Sequence, residues 1–166
     1  MNYKIWIDAD SCPKKVRFFI ENFSLKNQIH IIYVANKNIP ADQSNPFFEM
    51  VICESTSQAA DNYILGHVSP IDFVITRDIP LAAELLKKNI YVINDRGMTF
   101  TRDNIQRKLK ERQLNIDMAA LGLSTQQKNS YSKKDFDAFV ECFNKAISFI
   151  TLQEKMYSKM QNNRPD

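Results

Sequence analysis

Apolar residues arrive in short bursts whose spacing switches between two periods. Tyr3 to Ile7 is a nearly unbroken apolar run of β-branched and aromatic side chains, the pattern of a strand covered on both faces. Pro13 follows, and because proline is tolerated in the first turn of a helix, a helix is predicted to begin there, with Ser11 or Cys12 placed to cap it. Val16, Phe19, Ile20 and Phe23 recur at i, i+3, i+4 and i+7 and give that helix one apolar face. Further strands are read at His30–Ala35, Phe47–Ile52, Phe73–Ile75 and Ile90–Ile93. Between them, a helix from Ser57 to Leu65 is stopped by Gly66, and another from Leu81 to Lys88 ends at Asn89. Thr101 caps a basic helix, Arg102–Glu111, and Gly122–Tyr131 reads as a polar connector. Ser132 and Asp135 then resemble a capping box, opening a helix striped by Phe136, Phe139, Val140, Phe143, Ile147 and Ile150.

Strands separated by helices over short connections argue for a mostly parallel sheet flanked by helices, an α/β fold. The 166 residues suit one domain, read as 1–152 with the last helix docked on it, followed by a polar tail, 153–166, expected to fray. Hydrophobic residues at 44% and charged ones at 25% are ordinary globular values and argue against wholesale disorder. The net charge of +3 neither demands nor opposes a nucleic-acid partner. No apolar run approaches the ~20 residues of a bilayer span. Asp8 and Asp10 also break the start where a signal peptide would be apolar, so the expectation is a cytoplasmic chain without membrane attachment.

Scarcity removes several chemistries. The only glycines are Gly66, Gly97 and Gly122, too few and too scattered for G-x-G-x-x-G or a P-loop, which excludes dinucleotide and P-loop phosphate binding of those kinds. Cys12, Cys53 and Cys142 are odd in number and not at metal-ligand spacing, so neither a disulfide framework nor a zinc site is indicated. Cys12 lacks an arginine at the spacing of a cysteine phosphatase loop, since Arg17 comes one place early, and reads as a small buried thiol.

What remains is carboxylate. Asp8, Asp78 and Asp95 each follow an apolar strand at the same end, and in a parallel sheet with those strands adjacent they would converge. Converging carboxylates must take up protons or hold a cation, and oxygen-only ligands favour Mg²⁺ or Mn²⁺. Asp10 lies two residues from Asp8, as a second ligand or a brace, and Asp61 from the Ser57–Leu65 helix would close the ring. Each has a plainer reading. Asp10 and Asp78 are equally suited to capping the helices that follow, while pattern alone favours Asp95 as a turn residue and Asp61 as a solvent-facing one. Asp8 has the strongest case, because a carboxylate ending a buried strand is unusual unless paired or metal-bound. Lys14, Lys15, Arg17, Lys37, Arg77 and Arg96 lie in or just past loops at the same end and suit a substrate's phosphates.

Four segments, Ile5-Trp-Ile-Asp8-Ala-Asp10-Ser-Cys-Pro13, Ala60-Asp61-Asn62, Asp72-Phe-Val-Ile-Thr76-Arg-Asp78-Ile-Pro-Leu-Ala-Ala83 and Asn94-Asp-Arg-Gly97, together closely resemble the YaiI/YqxD family of bacterial proteins. The likeness extends to Phe136-Asp-Ala-Phe139 and so covers most of the chain. It implies a PIN-like, Rossmann-like three-layer domain similar to metal-dependent ribonucleases, in a family whose own activity is largely uncharacterised. By that likeness Asp8 takes the place of the acid after the first strand, Thr76-x-Asp78 the strand-end motif and Asp61 the helix-borne acid. Asp95 departs from it, since family members often carry another residue there.

The resulting expectation is a Mg²⁺- or Mn²⁺-dependent nuclease, acting on RNA ahead of DNA. Asp8, Asp10, Asp61 and Asp78 would be its catalytic and metal-binding residues, with Asp95 a doubtful further ligand. Two rivals use the same residues. One is a phosphatase of the haloacid-dehalogenase type with Asp8 as nucleophile, and the other an RNA-binding module without turnover.

Overall fold

The computed structural model describes residues 3–56, 58–123 and 130–162. Its strands are β1 (Ile5–Asp8), β2 (Ile31–Ala35), β3 (Phe48–Ile52), β4 (Phe73–Ile75), β5 (Tyr91–Ile93) and β6 (Thr99–Phe100). They form one sheet in the order β3-β2-β1-β4-β5-β6, parallel throughout except for β6, which runs antiparallel to β5. The helices are α1 (Lys14–Asn27), α2 (Ala59–His67), α3 (Ile79–Lys87), α4 (Arg102–Ala120) and α5 (Lys133–Asn162).

Alternation along each strand divides the core in two. Ile5, Ile7, Ile31, Tyr33, Phe73, Ile75 and Ile93 face the layer of α1 and α5, where Phe19, Phe139 and Phe143 pack edge to face or tilted. Trp6, Ile32, Val34, Val74 and Val92 face the layer of α2, α3 and α4. The result is an α/β three-layer architecture consistent with a PIN-like fold. Among the described residues no helix is long and apolar enough to cross a membrane.

Several sequence expectations need correction. Neither Ser11 nor Cys12 caps α1; Pro13 is the N-cap residue, extended at φ −61°, with no side-chain cap. Gly66 does not stop α2, which continues to His67, because a solvent-exposed glycine with open space around it costs a helix only about 1 kcal/mol. Ser57, read as that helix's start, lies outside the described residues. Helix α4 runs on past Glu111 to Ala120 in a segment that is exposed all round, so it has no apolar stripe to announce it. Most of the Gly122–Tyr131 connector lies outside the described residues, and α5 continues to Asn162, well into the stretch read as a fraying tail.

The β5–β6 hairpin went unread because β6 is very short and its turn uses a side chain. Asn94 Oδ1 accepts from the amides of Arg96 and Met98, and the Asn94 amide donates to the Met98 carbonyl. Gly97 closes the turn at φ +83°, where a Cβ would stand 2.5 Å from the Ala138 backbone of α5. The capping readings for the later helices agree with the structure: Thr101 and Asn104 form a reciprocal box, and Ser132 with Asp135 another.

Candidate functional site

Strand β1 pairs with β2 on one side and β4 on the other, so connections leave it in opposite directions and a crevice opens beyond its carboxyl end. Asp8 is the last residue of β1 and Thr76 the first after β4. Thr76, 2% exposed, ties the two ends together: its Oγ1 donates to Asp8 Oδ2 at 2.8 Å and accepts the Asp78 amide at 2.9 Å. Asp78 caps α3, its Oδ1 accepting the Leu81 amide at 2.7 Å. The plain and the functional reading of Asp78 are therefore compatible, since capping uses one oxygen of the two. Among the described residues, the other oxygens of Asp8 and Asp78 take no protein hydrogen bond and neither acid pairs with a lysine or arginine.

Asp61, in the first turn of α2, completes the group electrostatically. Burial, then the charges of Asp78 and Asp8, push its carboxyl up to about 6. Burial likewise raises Asp8; the Thr76 hydrogen bond works against that rise, and Asp78, Asp10 and Asp95 add to it. Three half-buried carboxylates thus repel one another across the crevice, and among the described residues no lysine or arginine pairs with them.

The other predicted ligands are held elsewhere. Asp95 is buried and clasped by Arg77, with Nε donating to Oδ1 at 2.7 Å and Nη2 to Oδ2, so both its oxygens are used. A carboxylate gripped at both oxygens is a brace for the β5–β6 turn and a poor metal ligand, which corrects the expectation for Asp95. Asp10 is exposed and its Oδ2 accepts the Asn36 amide at 2.7 Å, fastening the β1–α1 loop to the end of β2. Of the two roles open to Asp10, the structure favours the brace. Asp72, within one of the recognised segments, is structural: it accepts from Lys4 N, Trp6 Nε1 and Ser69 N.

The cations divide in the same way. Arg77 is committed to Asp95, and Arg96 to Asp135 at 2.8 Å with its guanidinium over Tyr131. Lys15 lies over the Phe136 ring, while Lys14 and Lys37 are exposed. Arg17 has Nε and Nη1 shut from solvent without a hydrogen-bond partner. Cys12 is buried, and burial raises its thiol far from the ionised state, which agrees with an inert packing role.

A divalent ion can be judged against this donor set. Among the described residues no three His, Cys, Asp or Glu side chains stand together closely enough to hold one ion, so the predicted ring of five does not form. The chemistry nevertheless fits: Mg²⁺ is ordinarily held by one or two carboxylates and completes its shell with water and substrate oxygens. Asp8, Asp61 and Asp78 offer oxygen only and, among the described residues, have no lysine or arginine paired with them. Thr76 is the positioning residue that spacing alone did not single out; its signal was a hydroxyl at the end of a buried strand.

Fold and site define an α/β protein with an uncompensated carboxylate group at the switch point of a parallel sheet. The family model described as "Uncharacterized BCR, YaiI/YqxD family" matches residues 6–149. A UPF0178 protein of Treponema denticola is 39% identical over 156 residues, covering 94% of this chain and 99% of its own length. Another, from Shewanella sp. strain ANA-3, is 36% identical over 86% of this chain and 95% of the relative. A third, from Treponema pallidum, is 36% identical over 82% of this chain and 77% of the relative. No solved structure matches. The chain belongs to the YaiI/YqxD family.

Proposed function

We propose that this protein is a divalent-metal-dependent phosphodiester hydrolase acting on RNA, in which one or two of the carboxylates Asp8, Asp61 and Asp78 would hold Mg²⁺ or Mn²⁺, with water and substrate oxygens completing the shell. The observation that carries the reading is the mutual repulsion of these carboxylates in a half-buried crevice, with Asp61 raised to about 6. Crowding carboxylates in this way carries an electrostatic cost, and a divalent cation removes that cost. When bound, the ion supplies a Lewis acid that activates water and steadies charge on the phosphate oxygens.

The chain's own residues supply placement. Thr76 fixes the Asp8 carboxylate through one oxygen and leaves the other without a protein hydrogen bond among the described residues. Asp78 is fixed in the same way by the first turn of α3. Of the cations read from the sequence, the exposed Lys14 and Lys37 are the ones left to meet substrate phosphate.

The test is Mn²⁺ calorimetry on the wild type, on Asp8→Asn and on Asp78→Asn, together with labelled RNA and single-stranded DNA as substrates. The expected result is metal uptake and RNA cleavage by the wild type, both lost in each variant. Unchanged metal uptake when Asp8 and Asp78 are substituted together would refute the reading. A stoichiometric beryllofluoride adduct on Asp8 would replace it with the phosphatase reading, and metal-independent RNA binding without cleavage would replace it with the binding module.

A further inference from the structure

A trough of about 690 Å³ runs from Asp61 along the outer surface of α3, walled by α2 and α4. It lies in the size range of small-molecule sites. Short Ala83 lies along it, with Leu65, Ile105 and Leu109 as apolar lining. Three carboxamides line it as well, Gln58 just before α2, Asn62 from α2 and Gln106 from α4, and among the described residues their side chains make no hydrogen bond. The ionic side chains along it are largely paired or bonded: Glu84 with Lys87, and Arg102 with Asn89.

A second cleft, about 510 Å³, begins at Asp78 and carries Arg112 from α4 beside an ion pair of Lys108 with Glu111. Ile79 borders this cleft while Pro80 and Leu81 border the trough, so the first turn of α3 is the ridge between them. Asp61 and Asp78 therefore stand where two depressions of different chemistry meet. One offers the Arg112 guanidinium to phosphate. The other is apolar along its floor, with groups that both donate and accept hydrogen bonds, which is the chemistry that recognises the face and edge of a nucleobase.

We propose that the trough is a nucleobase subsite, taking the base of a nucleotide next to the phosphate at Asp8, Asp61 and Asp78, with the strand continuing into the cleft at Arg112. This deepens the phosphodiester reading and rests on it for the placing of the phosphate. Having room on both sides of the acids, the site takes the interior of a single strand and not only its end. A duplex, with its bases stacked and paired, could not lend one to the trough.

The experiment measures equilibrium binding of a fluorescein-labelled single-stranded RNA, and of an abasic strand of equal length, with Ca²⁺ in place of Mn²⁺ so that the strand is not consumed. Ala83→Trp fills the trough, and the double variant Asn62→Ala, Gln106→Ala, at exposed positions, removes the hydrogen-bonding groups without filling it. Ala83→Trp is expected to weaken binding of the base-carrying strand about tenfold, one good base contact's worth. The abasic strand should bind wild type equally weakly and should lose nothing further in either variant. The inference is overturned if wild type binds both strands alike, if neither strand binds, or if both variants bind the base-carrying strand like wild type. Cleavage read separately in Mn²⁺ keeps the two ideas apart. Cutting that persists with wild-type affinity in Ala83→Trp sinks the subsite alone, while base-dependent binding without any cutting sinks the hydrolase alone.

Discussion

Asp61 shows how a single side chain carries the electrostatic state of the site. Its carboxyl is raised to about 6 in the folded protein against 3.8 for the free group. Between those values the folded chain keeps a proton that the unfolded chain has released, so this residue's contribution to stability falls as pH rises through that window and is flat outside it. In EDTA, Asp61→Asn should therefore be more stable than wild type at pH 7 by about 1 kcal/mol after solvent screening. The difference should vanish below about pH 4, as read by urea unfolding across pH. Burial raises Asp8 in the same direction, so its substitution carries the same sign. Thr76 acts through its neighbours. Thr76→Val keeps the shape but leaves Asp8 Oδ2 and the Asp78 amide without their partner. Mn²⁺ affinity should drop about 10- to 100-fold by calorimetry, with the fold retained by circular dichroism, as for other groups that orient a metal's ligands.

Among the elements, the β5–β6 hairpin shows where local signals ended and packing took over. Asn94-Asp95-Arg96-Gly97 was legible as polar residues past a strand, yet the turn depends on α5 lying against it, and that contact is long-range. Gly97→Ala would place a methyl 2.5 Å from Ala138 in a backbone conformation unfavourable to L-residues. The expected loss is about 3 kcal/mol of unfolding free energy, measurable by guanidinium denaturation. Helix α4 makes the opposite point. Its first turn was legible through the Thr101 cap, but its C-terminal half is exposed and has no periodic burial to read. That helix lines both depressions beside the acids, so part of the candidate binding surface was invisible in the apolar pattern.

At the scale of the whole molecule, β1 next to β4 is what assembles the site, and bound metal should stabilise that assembly. Mn²⁺ at about a hundred times its dissociation constant should raise folding stability by about 2.7 kcal/mol, through preferential binding to the native state. Thermal unfolding should show the rise in wild type and none in Asp8→Asn. The chain's alternation of strand and helix determined the α/β class, and a carboxylate closing each buried run marked Asp8 and Asp78, because periodicity and strand-end charge are local properties of consecutive residues. Asp61 was the hardest acid to read, since nothing in an exposed-looking helical turn announces that Asp78 and Asp8 lie across from it. Only the tertiary structure separated Asp95 and Arg77, which bind each other, from the acids that have no countercharge among the described residues. Pairing is decided by strand order and by which side chains meet across the sheet's end, and those distances join residues far apart in the chain that no spacing along it encodes.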